Sequence, residues 1–266
     1  MKSERTYFFL SGLPRTGITL LGAILNQNPD IYVSPTSPVL EFMEKFREII
    51  DTNITYAAFP KEEFTKKTIS KIWNDWYSDI DSPIIIDKNR GWPARLDWAG
   101  DIAKDIKIIC PVRSILDILS SFVLLNRKAF EKKFDETVEQ PWIESDYCNS
   151  LMNSNMRGVI SAPYNSLAQL FVRNRELFQN TIHLVEYEDL ISDTANIMNK
   201  IYDFLQIPNY EHHYDNIKND IREDDNVYGM TTLHDVRPTI SKKTNNPLEV
   251  LDEDIIKKYS DLEFWR

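Results

Sequence analysis

Apolar residues in this chain fall into short unbroken runs set between longer stretches of helical period. The runs at 7–10, 83–86, 106–112 and 181–186 have the length and the β-branched or aromatic content of strands buried on both faces, and Ile31, Tyr32 and Val33 make a shorter fifth. Between them, Leu20, Leu21, Ile24 and Leu25 recur at helical spacing. The same period predicts a helix from near Val39 with Phe42 and Phe46, and another over 60–80 with Phe64, Ile69, Ile72, Trp73 and Trp76. Further helices are predicted over 94–104, 114–122, 146–180 (one or two), 194–205 (stopped near Pro208) and 248–260. Strands alternating with helices predict an α/β fold, a doubly wound parallel five-stranded sheet flanked by helices. No repeat or long linker divides residues 1–266, so a single domain is expected. Within it, 125–165 reads as a lid or acceptor-pocket insertion, and the polar, aperiodic stretch 209–247 as a covering segment.

The polar clusters have a common address. Residues 11–19, 34–38, 87–90, 113–121 and 187–189 each follow directly on a predicted strand. In open α/β sheets the carboxyl ends of the strands are where ligands bind. All five clusters therefore converge on one edge.

The first cluster carries the most chemistry. A strand breaks at Gly12, a loop with Pro14, Arg15 and Gly17 follows, and a helix begins. Strand, glycine loop and helix in that order make a P-loop-like phosphate cradle, with backbone N–H groups and the helix dipole facing an anion. Gly12 to Thr19 fits the pattern G-x-x-x-x-G-K-[ST] at every position but one, because Ile18 stands where lysine belongs. That lysine serves the β- and γ-phosphates of a triphosphate, so its absence points to a ligand with a 5′-phosphate group and no triphosphate tail. The chain has Gly 7 in all, and Gly12, Gly17 and Gly22 all fall in this element. Glycine so scarce elsewhere implies a backbone that approaches something closely.

Arg15 and Lys88 are cations placed to face one anion. Arg113 and Ser121 add a planar guanidinium and a hydroxyl, a second phosphate grip apart from the first. Two grips suggest a nucleotide phosphorylated at two places. Each residue also has a plainer role open to it: Arg113 can pair with Asp117, Lys88 can be solvated, and Tyr187 can simply pack.

Composition narrows the field. At 266 residues, 42% hydrophobic and 27% charged, the chain reads as an ordinary globular protein. A net charge of -10 disfavours nucleic acid and anionic membranes as partners. Cys110 and Cys148 give neither a disulfide framework nor metal spacing. No apolar run approaches the ~20 residues of a membrane span, and Met1 to Arg5 lead straight into the first strand, so a soluble cytoplasmic protein is expected.

Pro14-Arg15-Thr16-Gly17-Ile18-Thr19-Leu20-Leu21 resembles the 5′-phosphosulfate loop of sulfotransferases that use 3′-phosphoadenosine 5′-phosphosulfate (PAPS). Val112-Arg113-Ser114 through Ser121-Phe122 resembles that family's 3′-phosphate element. Glu186-Tyr187-Glu188-Asp189-Leu190 is similar to its Y-E-D-L segment, and Ser241-Lys242 to a late nucleotide-covering segment. The resemblance spans about residues 6–245, and the layout is most similar to the tyrosylprotein and bacterial-type branch. It implies that Pro14, Arg15, Thr16, Gly17, Ile18 and Thr19 hold the 5′-phosphosulfate, and that Arg113 and Ser121 hold the 3′-phosphate. Tyr187, Ser241 and Lys242 then lie beside the nucleotide. PAPS would be the co-substrate, with a hydroxyl or amine acceptor of unknown identity, in-line transfer, no metal, and Arg15 and Lys88 stabilising the departing charge.

The proton acceptor is less defined. The branch has a glutamate after its second strand, and the matching position here is Thr36. Glu41, one helical turn on, resembles in placement the base of the heparan-type branch and is the first candidate; His234 is the second. Trp92, Trp142, Tyr147 and Tyr164 are available to line an acceptor pocket, though packing is their default role. Two other readings stand beside the sulfotransferase: a nucleotide or small-molecule kinase, opposed by Ile18, and a non-catalytic nucleotide-binding protein, supported by the missing glutamate.

Overall fold

Five strands, β1 (Thr6–Leu10), β2 (Ile31–Thr36), β3 (Ile84–Lys88), β4 (Ile108–Val112) and β5 (Ile182–Glu186), form one sheet in the order β2-β3-β1-β4-β5, every neighbouring pair parallel. These observations come from a computed structural model, which describes residues 5–133, 144–153, 158–221, 223–228, 232–241 and 246–266. The order reverses direction at β1, so the crossovers after β1 and after β3 lead to opposite sides of the first strand. This is the doubly wound arrangement expected from the alternating pattern.

Successive side chains on each strand point to opposite faces, and both faces are covered. On one side, Phe9, Ile85, Ile108, Cys110 and Val112 join a core with Val39, Met43, Trp73, Trp92 and Ile118. On the other, Phe8, Leu10, Ile86 and Ile109 pack with Leu21, Ile24, Leu190, Met198 and Ile201. Burial on both faces is why these strands read as unbroken apolar runs rather than as alternating ones.

The helices are α1 (Ile18–Leu25), α2 (Val39–Thr52), α3 (Ile54–Ala58), α4 (Glu62–Trp76), α5 (Leu96–Ile102), α6 (Ile115–Lys133), α7 (Glu144–Leu151), α8 (Ser161–Arg173), α9 (Arg175–Thr181), α10 (Tyr187–Ser192), α11 (Thr194–Leu205), α12 (Pro247–Val250) and α13 (Glu253–Tyr259). Three expectations change. The stretch 146–180 holds parts of three helices, because Gly158 turns the chain against the Leu151 carbonyl and Asn174 caps α9 by accepting from Leu177 N at 3.0 Å. The terminal helix is two short ones. Strand β2 runs on to Thr36 instead of stopping at Val33, through an irregularity that pairs Thr36 with Lys88. Ser34 Oγ accepts from Lys88 N at 2.9 Å, and Ser37 N donates to Lys88 O at 2.9 Å. Residues 34–38 are therefore strapped to the end of β3 and are not a free loop.

Below that strap lies a buried polar knot. Asp87 accepts from Tyr77 OH and from Trp92 Nε1, the latter at 2.6 Å. Burial pushes its carboxyl up to about 6, against the pull of these donors. No described helix is long and apolar enough to cross a membrane.

Candidate active site at the carboxyl edge of the sheet

A cavity of about 1240 Å³ opens at the carboxyl ends of the strands, lined from the loop after β1, from Thr36, from Lys88 to Arg90, from Arg113 and α6, from Tyr187, and from residues 216–220, 223–228 and 232–241. The five polar clusters do converge.

The loop after β1 is held by backbone geometry only glycine tolerates. Gly12 has φ 112°, and a Cβ there would lie 2.4 Å from the Pro111 carbonyl oxygen. Gly17 has φ 77° and a Cβ would stand 3.0 Å from the Tyr187 ring. The close approach inferred from glycine scarcity is thus partly to the protein itself. Arg15 also sits in the left-handed region, φ 62°, a conformation that non-glycine residues adopt at a cost and that clusters at functional sites. Helix α1 starts directly after Gly17, which has no side chain to cap it, so its N-terminal N–H groups are left uncapped at the cavity edge.

Pro14, Arg15, Gly17, Ile18 and Thr19 line the cavity. Thr16 does not. It is buried, with Oγ1 donating to Leu13 O at 2.7 Å, so its side chain fastens the loop and does not face a ligand.

Arg15 reaches across the cavity floor. Its Nε donates to Ser121 Oγ at 3.1 Å and Nη1 to the Leu233 carbonyl at 2.7 Å. Burial and then the nearby Arg113 charge depress its pKa, opposed by Tyr187 and Asp225. The two grips expected to be separate are contiguous: Ser121 is bonded to Arg15, not to Arg113. Arg113 stacks 4.4 Å over the Tyr187 ring, which also lies against Gly17. Its Nη2 donates to Asp117 Oδ1 at 3.2 Å, the plainer role left open above. Its Nε is buried without a hydrogen-bond partner among the described residues, although Glu188 Oε1 lies 3.4 Å away. Tyr187 opens α10 and lines the cavity; Ser241 also lines it and accepts from Arg237 Nη1 at 3.0 Å. Lys242 and Trp142 lie outside the described residues.

On the other side of the loop, Lys88 is buried and its Nζ lies 2.5 Å from Glu223 Oε1. The same oxygen accepts from Thr36 N at 2.9 Å and Thr36 Oγ1 at 3.1 Å. Burial alone would raise the Glu223 carboxyl; the Lys88 charge, its hydrogen bond and the Thr36 N–H outweigh it and hold the group at about 2. Burial lowers the Lys88 pKa, with Glu223 opposing. A glutamate from a remote segment thus occupies the neighbourhood that Thr36 leaves without one. His234 lines the cavity; its Nδ1 is 2.6 Å from Asp225 Oδ1, and its Nε2 is 3.6 Å from Glu223 Oε2. Tyr228 OH donates to Glu223 Oε2 at 3.3 Å. Arg90 opens onto the same space, its pKa lowered by the surrounding protein against the pull of Tyr228 and Glu223.

Glu41, the first candidate base, does not line the cavity. It is exposed on α2, and both carboxylate oxygens accept from Asn89 Nδ2, at 3.1 and 2.9 Å. The helix dipole and Asn89 account for its place without chemistry. Of the aromatics named for the acceptor, Tyr147 lines the cavity, Trp92 is buried in the core, and Tyr164 packs against Phe264 and Trp265. Glu223, Asp225 and Tyr228 were not singled out in the sequence. They lie in an aperiodic polar stretch where the sequence points only to His234, Ser241 and Lys242.

A family model described as "Sulfotransferase family" matches residues 8–212. No curated protein matches the chain. Among solved structures, the fold resembles the sulfotransferase domain of the curacin biosynthetic pathway, at 17% identity and TM-score 0.51, over 99% of this chain and 93% of that one. It also resembles a sulfotransferase from Alicyclobacillus acidocaldarius, at 12% identity and TM-score 0.52, over 96% and 89% of the two chains. With more than half of its residues matched by that model, the chain belongs to the sulfotransferase family.

Proposed function

We propose that this protein moves a sulfuryl group from PAPS to a hydroxyl or amine acceptor by in-line transfer. The observation that carries the reading is the cavity over β1. It joins the start of α1, Arg15 and Arg113 on one side, and Lys88 on the other. The 5′-phosphosulfate would rest on Pro14, Arg15, Gly17, Ile18 and Thr19. The 3′-phosphate would rest on Arg113 and Ser121, with Tyr187, Ser241 and Lys242 beside the nucleoside.

In the transfer, an acceptor lone pair forms a bond to sulfur while the bond from sulfur to the bridging oxygen breaks. Its electron pair stays on the 5′-phosphate, so negative charge grows there. Preplaced cations are worth most at that point, because they need not reorganise as the charge develops. Arg15 and Lys88 are the groups in position to supply them. The sequence also opposes a triphosphate ligand, since Ile18 replaces the lysine that would serve one.

Calorimetry without magnesium tests this. Adenosine 3′,5′-bisphosphate is expected to bind and ATP not to. Tight ATP binding with none of the bisphosphate overturns the proposal in favour of a kinase.

A further inference from the structure

The order of the strands divides the cavity. Arg113 lies at the end of β4, on one side of the β1 loop, while Thr36 and Lys88 end β2 and β3 on the other. If the second phosphate of the nucleotide sits over β4, the acceptor approaches over β3. The groups waiting there are Lys88, Glu223, Asp225 and His234, and the last three lie beyond the residues that the family model matches.

These side chains are wired in one sequence. Asp225 Oδ1 is 2.6 Å from His234 Nδ1, and its Oδ2 accepts from His234 N at 3.0 Å. A carboxylate accepting at Nδ1 places the neutral ring's proton there and leaves Nε2 with a lone pair. Nε2 then faces Glu223 Oε2 across 3.6 Å, two acceptors with no proton between them. Glu223 meanwhile is buried and owes its charge to Lys88. Among the described residues, Tyr228 lies 5.5 Å away ring to ring, and Arg15 holds the neighbouring Leu233 carbonyl. No group of three described His, Cys, Asp or Glu side chains is placed to hold a metal ion.

We propose that His234 is the proton acceptor of the transfer, that Asp225 sets its tautomer, and that Glu223 is a counter-ion shared between Lys88 and His234. This rests on the sulfuryl-transfer reading. As the acceptor oxygen bonds to sulfur, its O–H proton passes to His234 Nε2, while the electron pair of the broken S–O bond stays on the 5′-phosphate. Lys88 turns its charge to that oxygen. Glu223, a buried carboxylate that cannot stand without a cation, takes the new imidazolium in its place. One carboxylate thus couples leaving-group stabilisation to deprotonation. Asp225 and Glu223 are positioning residues; His234 is the catalytic one.

Long-range ¹H–¹⁵N NMR of the histidine rings tests the arrangement in the intact protein with adenosine 3′,5′-bisphosphate, the His234 signals being assigned by their loss in His234→Gln. The neutral ring is expected to carry its proton on Nδ1, a preference that Asp225→Asn removes. A neutral Nε2–H tautomer, or a ring already charged, overturns the proposal, and this readout needs no acceptor. The second measurement follows labelled PAPS to inorganic sulfate with water as the acceptor. His234→Gln is expected to slow it on the order of 10²–10⁴-fold with bisphosphate affinity held. Equal rates in the folded variant overturn the proposal. Failure of the wild-type protein to bind the bisphosphate strikes the sulfotransferase reading instead and leaves the tautomer result standing.

Discussion

Replacing Gly17 with alanine tests the donor site through the backbone. At φ 77° an alanine occupies the left-handed region, which costs an L-residue about 1–2 kcal/mol. Its Cβ would also stand 3.0 and 3.2 Å from two carbons of the Tyr187 ring, so the ring must shift. Arg113 rests on that ring at 4.4 Å, and its displacement forfeits about 0.5–1 kcal/mol of cation–π attraction. Together these lower stability by about 2 kcal/mol, a fall in Tm of about 4–8 °C for a chain of this size. A misplaced Arg113 also loses a charged hydrogen bond to the ligand, about 1.5–3 kcal/mol, so bisphosphate affinity should fall about 10- to 100-fold. Thermal melting and calorimetry read the two effects separately. Gly22→Ala is the control: it lies inside α1, where a Cβ comes no nearer than 3.4 Å, and gains helix propensity. A Gly17→Ala protein with wild-type Tm and wild-type affinity would refute the account of the loop.

Other outcomes follow from the same geometry. Arg15→Ala should slow turnover on the order of 10²–10³-fold at saturating PAPS, measured by single-turnover transfer. Ser121→Ala removes the Oγ that Arg15 Nε donates to at 3.1 Å, and should weaken bisphosphate binding about tenfold by calorimetry. Stability should depend on pH through two groups of opposite sign. Glu223, held down to about 2, stabilises the fold above its ordinary carboxylate range, and that contribution is lost as pH falls through 2. Asp87, pushed up to about 6, binds its proton more tightly when folded, so its contribution is lost as pH rises through 6. Urea midpoints across pH should lose the acid-side slope in Glu223→Gln and the slope below 6 in Asp87→Asn.

What the sequence disclosed follows from how far each feature reaches along the chain. Strands covered on both faces must be apolar at every position, so runs such as 84–86 are visible locally, and the sheet follows from their alternation with helices. The loop after β1 was legible because its constraint is local too: Gly12 abuts the Pro111 carbonyl and Gly17 a ring, each at positive φ, where glycine alone is free of strain. Ion pairs have no such signature. Lys88 and Glu223 are 135 positions apart, and nothing in a polar, aperiodic stretch says which acid will fold back. Thr36 read as a vacancy because the glutamate that serves it comes from elsewhere. Glu41 drew attention by proximity in sequence, while Asn89, which turns it aside, acts only in three dimensions.

The distribution of charge over the cavity ranks its cations. In a chain of net charge -10, each cation could have a carboxylate of its own. Lys88 has Glu223, Arg113 has Asp117 with Glu188 close by, and Arg266 at the chain end takes Glu186. Arg15 has none within ion-pair reach among the described residues; its hydrogen bonds go to a hydroxyl and a carbonyl. Burial and Arg113 both work against its charge, and its backbone is in a costly conformation besides. A guanidinium held there, desolvated and beside another, is stabilised once an anion reaches it. Anion binding should therefore raise the melting temperature of the wild-type protein more than that of Arg15→Ala at equal saturation. Equal shifts in the two proteins would mean that the anion is held by Arg113 and the helix start alone.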